Sequence, residues 1–150
     1  MDDRRDPAVP EEHVDIGVLE LELQHALRDT LFSSGLMISP ARVRQISAEM
    51  ATSFFSFFDG RQDVETRNIG AQLANDGLGS ASLLAMTEAL RRTCREKSNP
   101  LSDLPNTAGQ YCNAVTEGYI EAREENLLKE QERTYQAFLR AKESRALGSG

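Results

Sequence analysis

Apolar residues in this chain recur at helical spacing almost from end to end. Leu19, Leu23, Leu27 and Leu31, with Ala26 between them, make a stripe that continues to Phe32. Intervals of three and four residues are those of one helix face. The same stretch opens on an alternation, Val18-Leu-Glu-Leu-Glu-Leu23, that suits a strand. No second strand is available to pair with it, so the spacing predicts a helix over Glu12–Ser33, closed by Gly35. Ser39-Pro40 supplies an N-cap and a first-turn proline for a second helix. Val43, Ile46, Met50, Phe54 and Phe57 step along one of its faces, Phe55 and Phe58 widen that face, and Asp59-Gly60 ends it. A third helix is predicted over Val64–Asn75, with Asp63 as its N-cap. Its inward residues, Ile69, Gly70, Leu73 and Ala74, are mostly small enough for another helix to come close. Asp76-Gly-Leu-Gly79 is a turn. Ser80 starts a fourth helix with Leu83, Leu84, Thr87, Leu90 and Cys94 as its stripe, stopped by Asn99-Pro100. The last helix is predicted over Pro105–Leu147, with Asp103 as its N-cap. The expected fold is all-α: five helices in a bundle or a globin-like arrangement, with a long C-terminal exit helix.

The last helix changes character part-way. Before Glu121 its apolar positions, Tyr111, Val115 and Tyr119 among them, are rich enough to pack into a core. Beyond it there is neither Pro nor Gly before Gly148, strong helix formers dominate, and the apolar residues thin to a narrow stripe. Ile120, Leu127, Leu128, Tyr135, Phe138 and Leu139 form that stripe, read as a homodimer and linker surface. A long helix with so thin a stripe needs a partner helix or a following domain. Glu125 and Lys129 are spaced to pair. The like-sign spacings Glu117/Glu121/Glu125 and Lys129/Arg133 suit opposite charges supplied by a second chain. The chain therefore divides into an acidic leader (1–11), a helical sensory or dimerisation core (12–120) and a signalling helix (121–147). Gly148-Ser149-Gly150 reads as an added tail. The whole reads as the N-terminal module of a longer protein whose effector domain follows it.

Charge sharpens this division. Of the net −7, six units fall in residues 1–22, and residues 23–116 are neutral. No basic face suits nucleic acid. Arg91, Arg92, Arg95 and Lys97 form a cluster in the last turns of the fourth helix, where cations favour the dipole. There is no apolar run long enough for a membrane span and no secretory signal, so a cytoplasmic location is expected. Cys94 and Cys112 lack metal-ligand spacing and read as buried free thiols, with a disulfide between them as the alternative.

Catalytic signatures are missing: no phosphate loop, no nucleophile elbow, and only two histidines, His13 at the edge of the leader and His25 beside the apolar stripe. Neither a metal nor a cofactor is expected, and no enzymatic activity. The four phenylalanines within Phe54–Phe58 fill the core on the plain reading. On a sharper one they help line an apolar ligand pocket formed by Met50, Phe54, Phe57, Phe58, Leu84, Tyr111 and Val115.

Helices three and four, Ile69-Gly-Ala-Gln-Leu-Ala-Asn-Asp-Gly-Leu-Gly-Ser-Ala-Ser-Leu-Leu84, run on into Met86-Thr-Glu-Ala-Leu-Arg-Arg92. A long Glu-, Gln- and Arg-rich helix follows. Over residues 20–145 this resembles the N-terminal sensory domain of RsbR-type stressosome proteins and related bacterial signalling regulators. The resemblance implies a haem-free globin-like domain that dimerises and hands its last helix to an effector, often STAS, sometimes PAS. Haem-binding relatives need a proximal His, and the third and fourth helices have none. The expected function is a dimeric cytoplasmic sensory domain. The competing expectation is a constitutive docking or scaffold dimerisation domain without a small ligand.

Overall fold

Asp15 sets the start of the first helix. Its backbone is extended and its carboxylate accepts the Gly17 amide at 2.7 Å, filling one of the donors a helix leaves open at its N-terminus. In this computed structural model, which describes residues 14–35, 37–60, 63–98 and 101–148, α1 spans Ile16–Ser34. The helix thus begins later than the expected Glu12, because a capping residue cannot also be helical. Glu12, like the leader before it, lies outside the described residues. Gly35 closes α1 at φ 73°, donating its amide to the Leu31 carbonyl.

α2 spans Pro40–Phe58, and the Ser39 hydroxyl accepts the Arg42 amide at 3.1 Å. α3 spans Asp63–Asn75, so Asp63 is the first helical residue and not the cap in front of it. α4 spans Ser80–Lys97; Asn99-Pro100, expected to end it, lie outside the described residues. α5 spans Leu104–Gly148. At its start the Asp103 carbonyl accepts the Thr107 amide at 2.9 Å, while the side-chain role falls to Ser102, whose hydroxyl accepts the Leu104 amide at 2.9 Å. Ser149 and Gly150 lie outside the described residues.

Among the described residues five helices make a bundle around one core. Leu19, Leu23 and Leu27 of α1 pack with Met50 and Phe54 of α2, with Met86 and Leu90 of α4, and with Tyr111 and Val115 of α5. Leu78, in the turn between α3 and α4, is buried as deeply as any of them. Thr30 and Ser82 share a hydrogen bond of 2.9 Å between α1 and α4. Arg42, at the start of α2, pairs with Asp76 beyond the end of α3.

α3 and α5 approach most closely. A Cβ on Gly70 would lie 1.9 Å from the Val115 carbonyl oxygen, and one on Gly118 would lie 2.0 Å from that of Arg67. At this crossing backbone rests on backbone, which only glycine allows. Among the described residues no helix is long and apolar enough to cross a membrane.

Candidate functional site: the exposed arm of α5

α5 has two environments. Through Ala122 its inward side is buried, and two phenols fasten it to the body. The Tyr111 hydroxyl donates to the Met50 carbonyl at 3.1 Å, and the Tyr119 hydroxyl donates to the Leu78 carbonyl at 2.7 Å. Arg67 of α3 bonds Glu117 at 2.7 Å and also pairs with Glu121. Two of the three like-sign acids on this face are therefore answered by an arginine of the same chain, where the sequence suggested a second one. The Asn126 amide donates to the Asn75 side-chain carbonyl at 3.0 Å, tethering the next turn to the end of α3.

Beyond Asn126 the helix leaves the body and runs bare to Gly148, for about 33 Å at 1.5 Å per residue. The expected stripe lies here. Leu127 is 49% and Phe138 58% exposed, Leu128 and Tyr135 are also exposed, and Leu139 is partly covered. Leu127, Tyr135 and Phe138, together with Glu130, Gln131 and Thr134, line one shallow furrow along this face. Ile120 is exposed at the level of the body. Among the described residues no ion pair within 4 Å joins Glu125 and Lys129; the arm is braced instead by Gln136 donating to Glu132 at 2.8 Å.

The residues expected to line an apolar pocket separate. Met50, Phe54, Tyr111 and Val115 are buried, and they fill one another's space. Phe54 and Tyr111 meet edge to face at 5.3 Å, and Phe57, half-buried, meets Tyr111 at 5.5 Å. Phe58 is partly exposed, and Leu84 points to solvent at 62% exposure. Met86 takes the inward place on α4 that the sequence stripe gave to Leu84.

One exposed patch escaped the sequence reading. At the turn between α1 and α2, Phe32 and Met37 are more than 90% exposed beside a shallow groove floored by Leu31 and Val43. Spacing places Phe32 at the end of the α1 stripe, but the helix stops at Ser34 and leaves the ring in solvent.

Cys94 and Cys112 are both free and buried. Burial, with the neighbouring Cys112 adding to it, pushes the Cys94 thiol up to about 12. Burial raises Cys112 to about 11, with the Arg91 guanidinium pulling the other way. Such thiols stay protonated and are poor nucleophiles. Burial likewise raises the Tyr111 phenol. Two members of the basic cluster on α4 are paired within the fold: Arg92 reaches Glu22 at 3.2 Å and Arg95 reaches Glu88 at 3.3 Å. His25 is exposed. Among the described residues no group of three His, Cys, Asp or Glu side chains is placed to hold a metal ion. Comparison with family models, with curated proteins and with solved structures finds no match to this chain.

Proposed function

We propose that the chain is a dimeric, globin-like sensory module of a bacterial cytoplasmic signalling protein of the RsbR type. Its body holds the responsive core, and its last helix carries the response to an effector domain of the STAS or PAS kind. One observation carries this reading: α5 is a single helix that begins among the core side chains and ends as a bare arm with an apolar stripe. A displacement at Tyr111 or Tyr119 is thereby communicated along a continuous hydrogen-bonded rod. A ligand or partner biases such an element only by preferring one of its positions. No residue is assigned to catalysis.

A second reading is favoured by the packing of the core. Met50, Phe54 and Tyr111 occupy the space a ligand would need. A constitutive docking domain that pairs through its arm needs no such space.

Native mass spectrometry of the unmutated chain and of Leu127→Glu/Leu128→Glu tests both. The expected result is a dimer for the first and a monomer of unchanged helical content for the second. Retained mass beyond the chain supports the sensor, and a dimer at the bare chain mass supports docking. A double variant that stays dimeric moves the interface away from the arm.

A further inference from the structure

Charge on α5 is sorted along its length. From Glu117 to Glu132 there are six acids against two bases; from Arg133 to Leu147 there are four bases against one acid. The exposed apolar side chains are distributed differently. Leu127 and Leu128 lie on one side of the Glu132–Arg133 peptide bond, and Tyr135 and Phe138 on the other, all of them substantially exposed. Leu127, Gln131, Thr134 and Phe138 follow one another at intervals of four, three and four residues, the spacing of a coiled-coil seam. Read from either end, the seam runs apolar, polar, polar, apolar. Its ends carry opposite charge.

We propose that this face binds a second copy of the same helix running in the opposite direction, about a two-fold axis at the Glu132–Arg133 bond. The proposal rests on the paired-arm reading above and gives that pair its direction. In this register Leu127 of each copy meets Phe138 of the other. Gln131 meets Thr134, and on the flank Leu128 meets Tyr135. The acidic stretch of each copy lies along the basic stretch of its neighbour, with Glu124 close to Lys142.

A parallel pair would lay acids on acids and bases on bases over its whole length, and would align the two helix dipoles head to head. Like charges across a helix interface cost energy, and opposite ones set orientation. The two central polar layers can hydrogen-bond to each other and hold the register, a role that buried polar residues play in coiled coils. Among the described residues nothing in the body covers this face: those from Leu127 to Ala141 are exposed except at Leu139. The far end of each arm then reaches the level of Ile120 on the other copy. That residue is an apolar side chain on the outer face of the body, 48% exposed. The last turns of each α5 thus come to lie against the other copy's body.

Pulsed electron–electron resonance on the full chain tests the direction. A nitroxide is placed on Glu132→Cys and, in a separate protein, on Ser144→Cys. The native thiols are buried, and the unmutated chain treated alongside provides the background. The antiparallel pair gives a short distance at position 132, below about 25 Å for helices packed 8–10 Å apart. At position 144 it gives a separation of about 35 Å along the axis, from the rise of 1.5 Å per residue. Short distances at both positions mean a parallel pair; they overturn the proposal and leave the paired-arm reading standing. Long distances at both positions place the interface elsewhere. Absence of dipolar coupling at either position means a monomer. Each of these last two results overturns the proposal and the paired-arm reading together.

Discussion

The two halves of α5 share one backbone and differ in what surrounds them. In the first half Tyr111, Val115 and Tyr119 are fully enclosed, two phenols bond to distant carbonyls, and Gly118 lets α3 lie directly on the helix. In the second half residues of the same kinds, Leu127, Tyr135 and Phe138, face water. Residue type alone does not separate the halves. The first packs against α2, α3 and α4, and the second extends past them. The first half is accordingly held by burial and shape. The second is held by helix propensity and by occasional side-chain bonds. Most helical stability in proteins comes from packing of an apolar face rather than from propensity, so covering the stripe would add to what propensity supplies.

The contrast can be broken most sharply by removing a ring from each region. Phe54→Ala takes a buried ring from against Tyr111 and is expected to cost the folded body about 3–5 kcal/mol in denaturant unfolding. Phe138→Ala removes a similar ring from the arm. It is expected to move the unfolding of the body by less than about 0.5 kcal/mol, while weakening association in sedimentation. An equal loss of stability from both would mean that the arm is part of the cooperative unit.

A smaller effect is expected at the helix crossing. Gly118→Ala should gain about 1 kcal/mol from helix propensity alone. The new methyl group would meet the Arg67 carbonyl at 2.0 Å, so the net result is expected to be a loss of about 1–3 kcal/mol. Ala137→Gly in the arm reverses the logic, costing local helicity by circular dichroism without loosening the body. A stabilised Gly118→Ala protein would show that α3 and α5 can separate without cost.

A further effect is a pH dependence confined to the body. An unfolded chain releases its thiol protons near 9, whereas the folded chain holds those of Cys112 and Cys94 until about 11 and about 12. The folded state therefore binds more protons in that interval. Its stability is complete below pH 9 and falls as pH rises towards 11 and 12. Thermal melts between pH 7 and 10.5 should show the decline, and Cys94→Ala/Cys112→Ala should flatten it. The thiols should also resist alkylation at pH 8 until denaturant is added.

Much of this architecture could be read from residue spacing. The Ser39-Pro40 start, the Gly35 stop and the small residues at the α3 crossing each have a local physical cause, and each appears in the structure. The change in α5 after Glu121 was legible for the same reason, because apolar density falls where packing ends. What spacing did not reveal was rotation. Leu83 and Leu84 are adjacent and point about 100° apart around a helix with 3.6 residues per turn. Hydropathy cannot choose between them, and the core takes Leu83 with Met86. Pocket or solid core was equally invisible, since the edge-to-face fit of Phe54 on Tyr111 depends on the relative placement of α2 and α5. The Arg67 bridge to Glu117 and Glu121 spans about fifty positions in sequence and leaves no local trace.

The glycine crossing also makes α5 a lever. Gly118 is the point where the helix bears on α3 with no side chain between them to absorb movement. From that fulcrum it is about 21 Å back to Leu104 and about 45 Å forward to Gly148 at 1.5 Å per residue. Any tilt about Gly118 therefore moves the far tip roughly twice as far as the end lodged in the core. A rearrangement small enough to keep the core packed, of the order of one bond length at Leu104, becomes a displacement at the tip comparable to the width of a side chain.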